Sequence, residues 1–182
     1  NLATQQRIAA ILDQADAIIQ NNRAIVQKYD ALTQSLFLDM FGDPVKNEKG
    51  WETKTIEQLV SKNKNSIKRG PFGGALKKEI FVEEGYLVYE QFHALNNDFS
   101  MERYFIDDKK FEELKGFEVK PKDIIISCSG VYLGKLAIVP ENAKKGIINQ
   151  ALLKVTIDES KMTNDFFVFH FSHKNFREKY FD

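Results

Sequence analysis

An apolar stripe with helical spacing runs through the first part of the chain. No Gly or Pro interrupts the segment from Ala3 to about Phe41, and Gly42 followed by Asp43-Pro44 is typical of a helix end. In heptads, apolar residues occupy most a, d and e positions, which predicts one helix roughly 57 Å long with a wide apolar face. A helix of this length cannot bury that whole face on one small domain, so we predict that it pairs with another helix. The predicted pairing residues are Ile8, Ile11, Ile18, Asn22, Ile25 and Leu32.

Beyond Pro44 the pattern changes to short apolar runs separated by Gly, Pro, Asn and Lys. These runs predict strands over residues 86–92, 123–127, 136–139 and 151–157. Helices are predicted over residues 51–60 and 164–181, and the second has an apolar stripe that we expect in the core. The stripe residues are Phe166, Phe169, His173, Phe176 and Tyr180. The predicted fold class is α+β, with a long coiled-coil helix (residues 1–42) before a mixed α/β domain (residues 43–182) built on a twisted, mainly antiparallel sheet.

The composition limits location and chemistry. The 182 residues include 26 Lys and Arg against 26 Asp and Glu, 43% apolar residues and one cysteine. This chain can build a core and forms no internal disulfide. No apolar run reaches the roughly 18 to 20 residues of a membrane span, and the first residues do not resemble a signal peptide. We therefore expect a cytoplasmic protein with no membrane partner.

Several motifs suggest catalytic or cofactor chemistry, but none is complete. The glycines of residues 130–136 resemble a phosphate loop, yet their spacing is too short and the Ser or Thr that holds magnesium is missing, so we interpret this segment as a tight connection between strands. Cys128 has no predicted base beside it and is interpreted as a buried thiol. His170 and His173 lack the further ligands of a metal site. We predict no catalytic residue, no metal site and no cofactor bound by this chain.

A basic stretch predicts contact with nucleic acid. Residues 61–78 carry six Lys and Arg and no acid, interleaved with glycines that permit close approach to phosphates. We expect Lys68 and Arg69 to contact phosphates. Gln91 and His93, at the end of a predicted strand, and Tyr132 are candidates for contacts with base edges. The full predicted DNA-binding set is Lys68, Arg69, Phe72, Gln91, His93, Tyr132 and Lys135.

Four sequence blocks follow one another along the chain. The long helix contains Gln5–Asp13, and the basic stretch contains Gly70–Gly73 followed by Leu76-Lys77-Lys78. A Pro-Lys-Asp turn, an apolar strand and a glycine hairpin occupy residues 119–135, and Ile148–Leu152 is the fourth block. In this order the blocks resemble the DNA-specificity (S) subunit of Type I restriction-modification systems. One departure is Lys122, where that family usually has Gly.

The resemblance implies a target recognition domain that reads part of a split DNA sequence, joined to a conserved helix that spaces two such domains. It also implies methyltransferase (modification) subunits and a restriction subunit as partners. S-adenosylmethionine, ATP and magnesium would then be bound by those partners. Because the blocks occur once, we expect a half subunit or a fragment, which pairs through its helix with a second half subunit or a second copy.

Two other functions are compatible with the residues alone. A coiled-coil interaction protein, whose second domain binds protein, would show no salt-sensitive affinity for DNA. A metal-dependent nuclease would use Pro121-Lys122-Asp123 and Glu113-Leu114-Lys115, whose order differs from the usual strand-based arrangement, and would cleave DNA by itself with magnesium. We favour the non-catalytic DNA-recognition subunit.

Overall fold

The structure is a computed structural model that describes residues 1–72 and 74–181. Gly73, part of the Gly70–Gly73 block, and Asp182, the last residue of the predicted second domain, lie outside the described residues. The chain forms two compact units, one from Asn1 to Lys49 and one from Gly50 onward. In the described part of the chain, no helix combines the length and the apolar character that a bilayer crossing demands.

The first unit consists of one long helix, α1 (Leu2–Phe41), as predicted, and the non-helical residues 42–49 that follow it. It begins where the side chain of Asn1 accepts a hydrogen bond of 2.9 Å from the main-chain N–H of Thr4. It ends at Gly42, whose φ of 79° few other residues adopt and whose N–H donates to the carbonyl of Leu38 at 2.8 Å. Caps at both ends fix the helix length.

Within its described residues, the second unit contains five short α-helices, two 3-10 helices and eight strands. The helices are α2 (Ile56–Leu59), α3 (Gln91–Asn96), α4 (Asp108–Glu113), α5 (Asn164–Ser172) and α6 (Lys174–Tyr180). The strands are β1 (Ile67–Arg69), β2 (Tyr86–Tyr89), β3 (Phe105–Ile106), β4 (Glu118–Val119), β5 (Ile124–Ser127), β6 (Leu136–Ile138), β7 (Gly146–Ile148) and β8 (Leu152–Val155). The predicted α+β class is confirmed.

The strands divide into two four-stranded sheets. The first has the order β1-β8-β5-β6 and is antiparallel throughout. The second has the order β3-β2-β7-β4, in which only the β2–β7 pair is parallel. Apolar residues shared by both sheets, among them Leu87, Ile125 and Leu152, form one buried cluster. The shared cluster holds the two sheets together as one domain.

A buried ion pair lies inside this framework. The ammonium of Lys154 on β8 is 3.8 Å from the carboxylate of Asp123, and these side chains are 9% and 2% exposed. Asp123 also accepts hydrogen bonds from the hydroxyl of Thr156 and, at 2.8 Å, from the main-chain N–H of Lys120. Lys154 donates to the carbonyl of Glu118 at 2.7 Å. Burial lowers the pKa of Lys154, and the negative charge of Asp123 opposes that shift.

Some predicted elements were wrong in extent. The helix predicted over residues 51–60 is confined to α2, and the strand predicted over residues 86–92 stops at Tyr89 because a helix begins at Gln91. The terminal helix breaks at His173, which has an extended conformation and accepts a hydrogen bond from the N–H of Asn175. Within α5 the fully buried side chain is Phe167, whereas Phe169 of the predicted core stripe is exposed. Beyond the break, Tyr180 of that stripe is also exposed, and His173 is the stripe residue that is buried.

Candidate nucleic-acid interface

Three strands of the first sheet meet at one end of that sheet. The register places Arg69, the last residue of β1, opposite Leu153, and Ser127, the last residue of β5, opposite Leu152. The carboxyl ends of β1 and β5 therefore flank the start of β8. Since neighbouring strands lie about 4.8 Å apart, these three ends span about 10 Å. The loops that leave them share one surface.

The turn before β8 is hydrogen-bonded to a fourth strand, β2, at this end of the first sheet. The N–H of Asn149 donates to the carbonyl of Tyr89, the last residue of β2, at 2.9 Å. The N–H of Gly70 donates to the carbonyl of Leu152 at 2.9 Å, and the N–H of Cys128 donates to that of Ala151, also at 2.9 Å. We call this surface the recognition edge and define it as residues 69–72, 89–91, 127–135 and 149–151.

Glycine is required at position 70 because two backbones approach closely there. A Cβ atom on Gly70 would lie 1.8 Å from the carbonyl oxygen of Asn149. No side chain fits in that space without movement of the backbone. This contact gives Gly70 a structural role, because glycine allows the end of β1 to pack against the turn before β8.

Two of the predicted DNA-binding residues project from the exit of β1. Arg69 and Phe72 are both exposed, Phe72 by 63%. The guanidinium of Arg69 lies 4.7 Å from the centroid of the Phe72 ring. Stacking orders the arginine while leaving its N–H groups able to donate. A cation and an aromatic face are thus presented together.

The loop of the β5–β6 hairpin, residues 128–135, contains two more of the predicted DNA-binding residues. Tyr132 is 56% exposed, and Lys135 is exposed at the end of the loop. The loop is the tight connection between strands that its glycines predicted, because β5 and β6 pair as an antiparallel hairpin. Arg69, Phe72, Tyr132 and Lys135 therefore all belong to the recognition edge.

The basic stretch is divided by β1. Lys68 points to the sheet face opposite Arg69, because side chains alternate along a strand. Its ammonium lies 4.9 Å from the ring centroid of Phe117, and the residue is partly buried. Lys62 and Lys64 are exposed but precede β1, so they lie toward its other end. The six cations do not form one cluster.

Gln91 and His93 do not end a strand but lie in the first turn of α3. His93 is fully buried, which corrects its predicted contact with a base. Its Nδ1 accepts from the N–H of Glu90 at 3.0 Å, so its Nε2 carries the proton that bonds the carbonyl of Met101 at 3.0 Å. The amide of Gln91 donates to the Ser127 hydroxyl and the Ser129 carbonyl, each at 2.6 Å. Both side chains therefore act inside the protein.

Tyr89, at the end of β2, is a buried residue of the recognition edge. Its hydroxyl donates to the carbonyl of Lys144, and its side chain is buried. Burial, together with the negative charge of Glu102, raises the pKa of Tyr89 to about 12. The hydroxyl therefore keeps its proton at neutral pH and anchors the end of β2.

Sequence reasoning missed the exposed apolar side chains of the recognition edge. Val131 is 89% exposed and Leu133 38% exposed, on either side of Tyr132. Glu90 has a buried carboxylate oxygen with no hydrogen-bond partner within the described chain. Asn149 orders the turn before β8 by accepting from the N–H of Ala151 at 3.0 Å. The exposure of the apolar pair depends on tertiary packing, and no local sequence signal gives it.

The structure also places the cysteine and the two histidines that were considered as candidate site residues. Cys128 is partly exposed, which corrects its interpretation as a buried thiol. His173 is buried at the break between α5 and α6, and His170 is partly buried beside Phe176. Among residues 1–72 and 74–181, no group of three His, Cys, Asp or Glu side chains is arranged to hold a metal ion.

The fold of this chain is also found in solved structures of other proteins. No family model matches the sequence, and no curated protein matches it. Solved structures do match. A chain from a study of complex assembly and conformational transition in the type I R-M system has a TM-score of 0.60 and 14% identity, over 100% of this chain and 43% of that one. The HsdS subunit of Thermoanaerobacter tengcongensis has a TM-score of 0.55 and 10% identity, over 93% of this chain and 39% of that one.

The chain has the fold of half a Type I specificity subunit. The resemblance inferred from the four sequence blocks is confirmed at the level of the fold. The chain spans 43% and 39% of the length of the two matched chains. In this fold the recognition edge is one end of the first sheet, and α1 is the long helix.

Proposed function

We propose that this chain is the DNA-recognition part of a Type I specificity subunit and that the recognition edge contacts double-stranded DNA. The observation that carries the proposal is the convergence of several strand ends on one surface that exposes Arg69, Phe72, Tyr132 and Lys135. Cations supply affinity for phosphates, whereas aromatic and polar groups at the same surface can contact bases. A width of about 10 Å suits the major groove, which is about 12 Å wide.

The chain is proposed to be non-catalytic. It would direct methyltransferase subunits, and through them a restriction subunit, to a split target site. S-adenosylmethionine, ATP and magnesium would be bound by those partners. Co-purification with a methyltransferase subunit, and loss of one methylated motif from genomic DNA when the gene is deleted, would test this assignment.

Salt dependence of duplex binding tests the recognition edge. Each phosphate contact contributes about 0.9 to the slope of log K against log salt concentration. We expect Arg69→Ala and Lys135→Ala each to flatten that slope by up to about 1. Lys62→Ala is the matched control, because Lys62 is an exposed lysine of the same basic stretch toward the other end of β1. If Lys62→Ala flattens the slope and the other two variants do not, DNA binds elsewhere on the domain.

We also propose that α1 pairs with a second long helix, from another half subunit or another copy of this chain. Support comes from its apolar stripe, in which Ile8, Ile11, Ile18, Ile25 and Leu32 are 49% to 60% exposed. A stripe of this size on a helix of about 60 Å provides a continuous seam.

Asn22 lies on the same stripe, is exposed, and is proposed to fix the register of the seam. A polar residue at one a position lowers stability but disfavours misaligned pairs. We expect Asn22→Leu to raise the melting temperature and to broaden the distribution of oligomers in sedimentation velocity experiments. A wild-type chain that stays monomeric at high micromolar concentration would refute pairing between copies of this chain.

A further inference from the structure

The tip of the β5–β6 hairpin exposes apolar side chains that serve no core. Val131, Tyr132 and Leu133 are consecutive and are 89%, 56% and 38% exposed. Scattered exposed apolar residues are normal on a protein surface. Three together at the end of a hairpin are instead typical of a contact with another molecule.

The first part of this loop is held by α3. Gln91 donates from one amide nitrogen to the hydroxyl of Ser127 and to the carbonyl of Ser129, with both distances 2.6 Å. These two acceptors stand on either side of Cys128, where β5 passes into the loop. The Gln91 amide therefore fixes the direction in which the chain leaves the sheet.

The second part of the loop is held by the C-terminal helix and by the strand. The N–H of Gly134 donates to the carbonyl of Ser127 at 2.9 Å, and the guanidinium of Arg177 donates to the carbonyl of Leu133 at 3.2 Å. The ring of Phe181 packs so closely on Gly134 that a Cβ there would lie 2.5 Å from it. The tip is thus exposed and also ordered, so binding through it loses little conformational entropy.

The charges around the tip indicate a polyanion as its partner. Lys135 is exposed directly after the tip, and Arg69 also belongs to the recognition edge. Arg177 donates a hydrogen bond to a main-chain carbonyl of the tip. The nearby carboxylate of Glu90 is partly buried beneath this surface. An apolar tip bordered by cations matches a duplex, whose base stack is apolar and whose rims are anionic.

We propose that Val131 and Tyr132 form a wedge that enters a groove of the bound duplex and opens one base step, with Gln91 as the residue that positions the wedge. This proposal rests on the function proposed above and adds a mechanism to it. Apolar side chains inserted between base pairs unstack them and bend the duplex. Sequence preference then arises from how easily a step is opened, in addition to direct base contacts.

The test uses the full chain, in the complex in which it is purified, and duplexes carrying the methylated motif mapped in the cell. Each duplex has 2-aminopurine, which fluoresces more strongly when unstacked, at one position other than the methylated base, because a methyltransferase unstacks that base itself. We expect wild type to raise fluorescence at one step or two neighbouring steps. The Val131→Ser/Tyr132→Ala variant should lose that rise and bind the motif about tenfold more weakly, with an unchanged salt slope. Phe169→Ala is the matched control, because Phe169 is 48% exposed on α5.

Gln91→Met, which keeps the side-chain length but cannot donate, tests the positioning role. We expect a reduced 2-aminopurine response with an unchanged salt slope. A wild-type response in Gln91→Met would refute that role. Binding to the motif without a fluorescence change at any position would overturn the wedge while leaving the proposed function intact, whereas lack of duplex binding would overturn both. If the tip variant instead loses the methyltransferase subunit and keeps its response to DNA, the tip is a protein contact and the wedge is wrong.

Discussion

Lys122 has a backbone conformation that favours glycine. It lies in the turn over residues 120–123, in which the N–H of Asp123 donates to the carbonyl of Lys120 at 3.0 Å. Pro121 keeps the first central φ negative, and Lys122 has a φ of 70°. This combination is a type II turn, which requires positive φ at its third residue. The family that the sequence resembles usually has Gly at this position, and the positive φ is the physical reason.

The gain from glycine can be worked out from these contacts. A side chain with a Cβ atom at positive φ costs about 1–2 kcal/mol. Glycine removes this cost but makes the unfolded chain more flexible, which offsets about 0.5–1 kcal/mol. The Lys122 ammonium also pairs with Glu159 at 3.2 Å, but both side chains are more than half exposed, so the pair contributes less than about 1 kcal/mol.

Comparison with alanine isolates the backbone effect. Lys122→Ala loses the same ion pair and keeps the positive φ. The turn cannot relax easily, since the N–H of Lys122 donates to Val139 at 2.8 Å and its carbonyl accepts from Asn164 at 2.9 Å. We therefore expect Lys122→Gly to be more stable than Lys122→Ala by about 0.5–1 kcal/mol, or roughly 1–4 °C in melting temperature.

Thermal and urea unfolding, followed by circular dichroism, would measure this difference. Lys120→Gly is the control, because Lys120 belongs to the same turn and does not have a positive φ. That variant should be less stable than wild type, so the two glycine substitutions should have opposite effects relative to alanine at the same position. Equal stability of Lys122→Gly and Lys122→Ala would refute the assigned turn.

Two further predictions concern buried polar groups. Asp123→Ala leaves the ammonium of Lys154 buried without its carboxylate, so we expect a loss of about 3–5 kcal/mol in urea unfolding. The double variant Asp123→Ala/Lys154→Met should lose less than the sum of the single variants, and strict additivity would contradict a direct pair. The second prediction is a pH dependence at Tyr89, whose pKa of about 12 in the folded protein exceeds the value of about 10 expected after unfolding. The unfolded chain therefore releases this proton first, so stability should fall from about pH 10 to 12, and Tyr89→Phe should show a smaller fall in the same pH series.

Much of the fold was predictable because its signals are local. The length and limits of α1 follow from an unbroken apolar stripe and the glycine at position 42. The β5–β6 hairpin follows from a run of Ile residues and the glycines at 130 and 134, both of which have positive φ. Each of these signals lies within the element that it specifies, so neither depends on the rest of the chain.

The pairing of distant strands could not be predicted in this way. β2 pairs in parallel with β7 across more than fifty residues, and β8 lies between β1 and β5. Such contacts are decided by which apolar faces bury one another, a property of the whole chain. The same reasoning explains the error at His93, since a polar side chain after a strand gave no sign that a short helix would bury it.

The recognition edge separates residues that maintain the fold from residues that face solvent. Gly70 and Asn149 hold strand ends together, and their replacement would disturb the sheet. Phe72, Val131 and Tyr132 are each more than half exposed and bury little, so substitutions there should change stability by only about 0.5 kcal/mol. Under the function proposed above, different contacts with DNA can therefore arise at these three positions on an unchanged framework. This separation is what a domain needs if its binding specificity is to change while its helix and sheets stay the same.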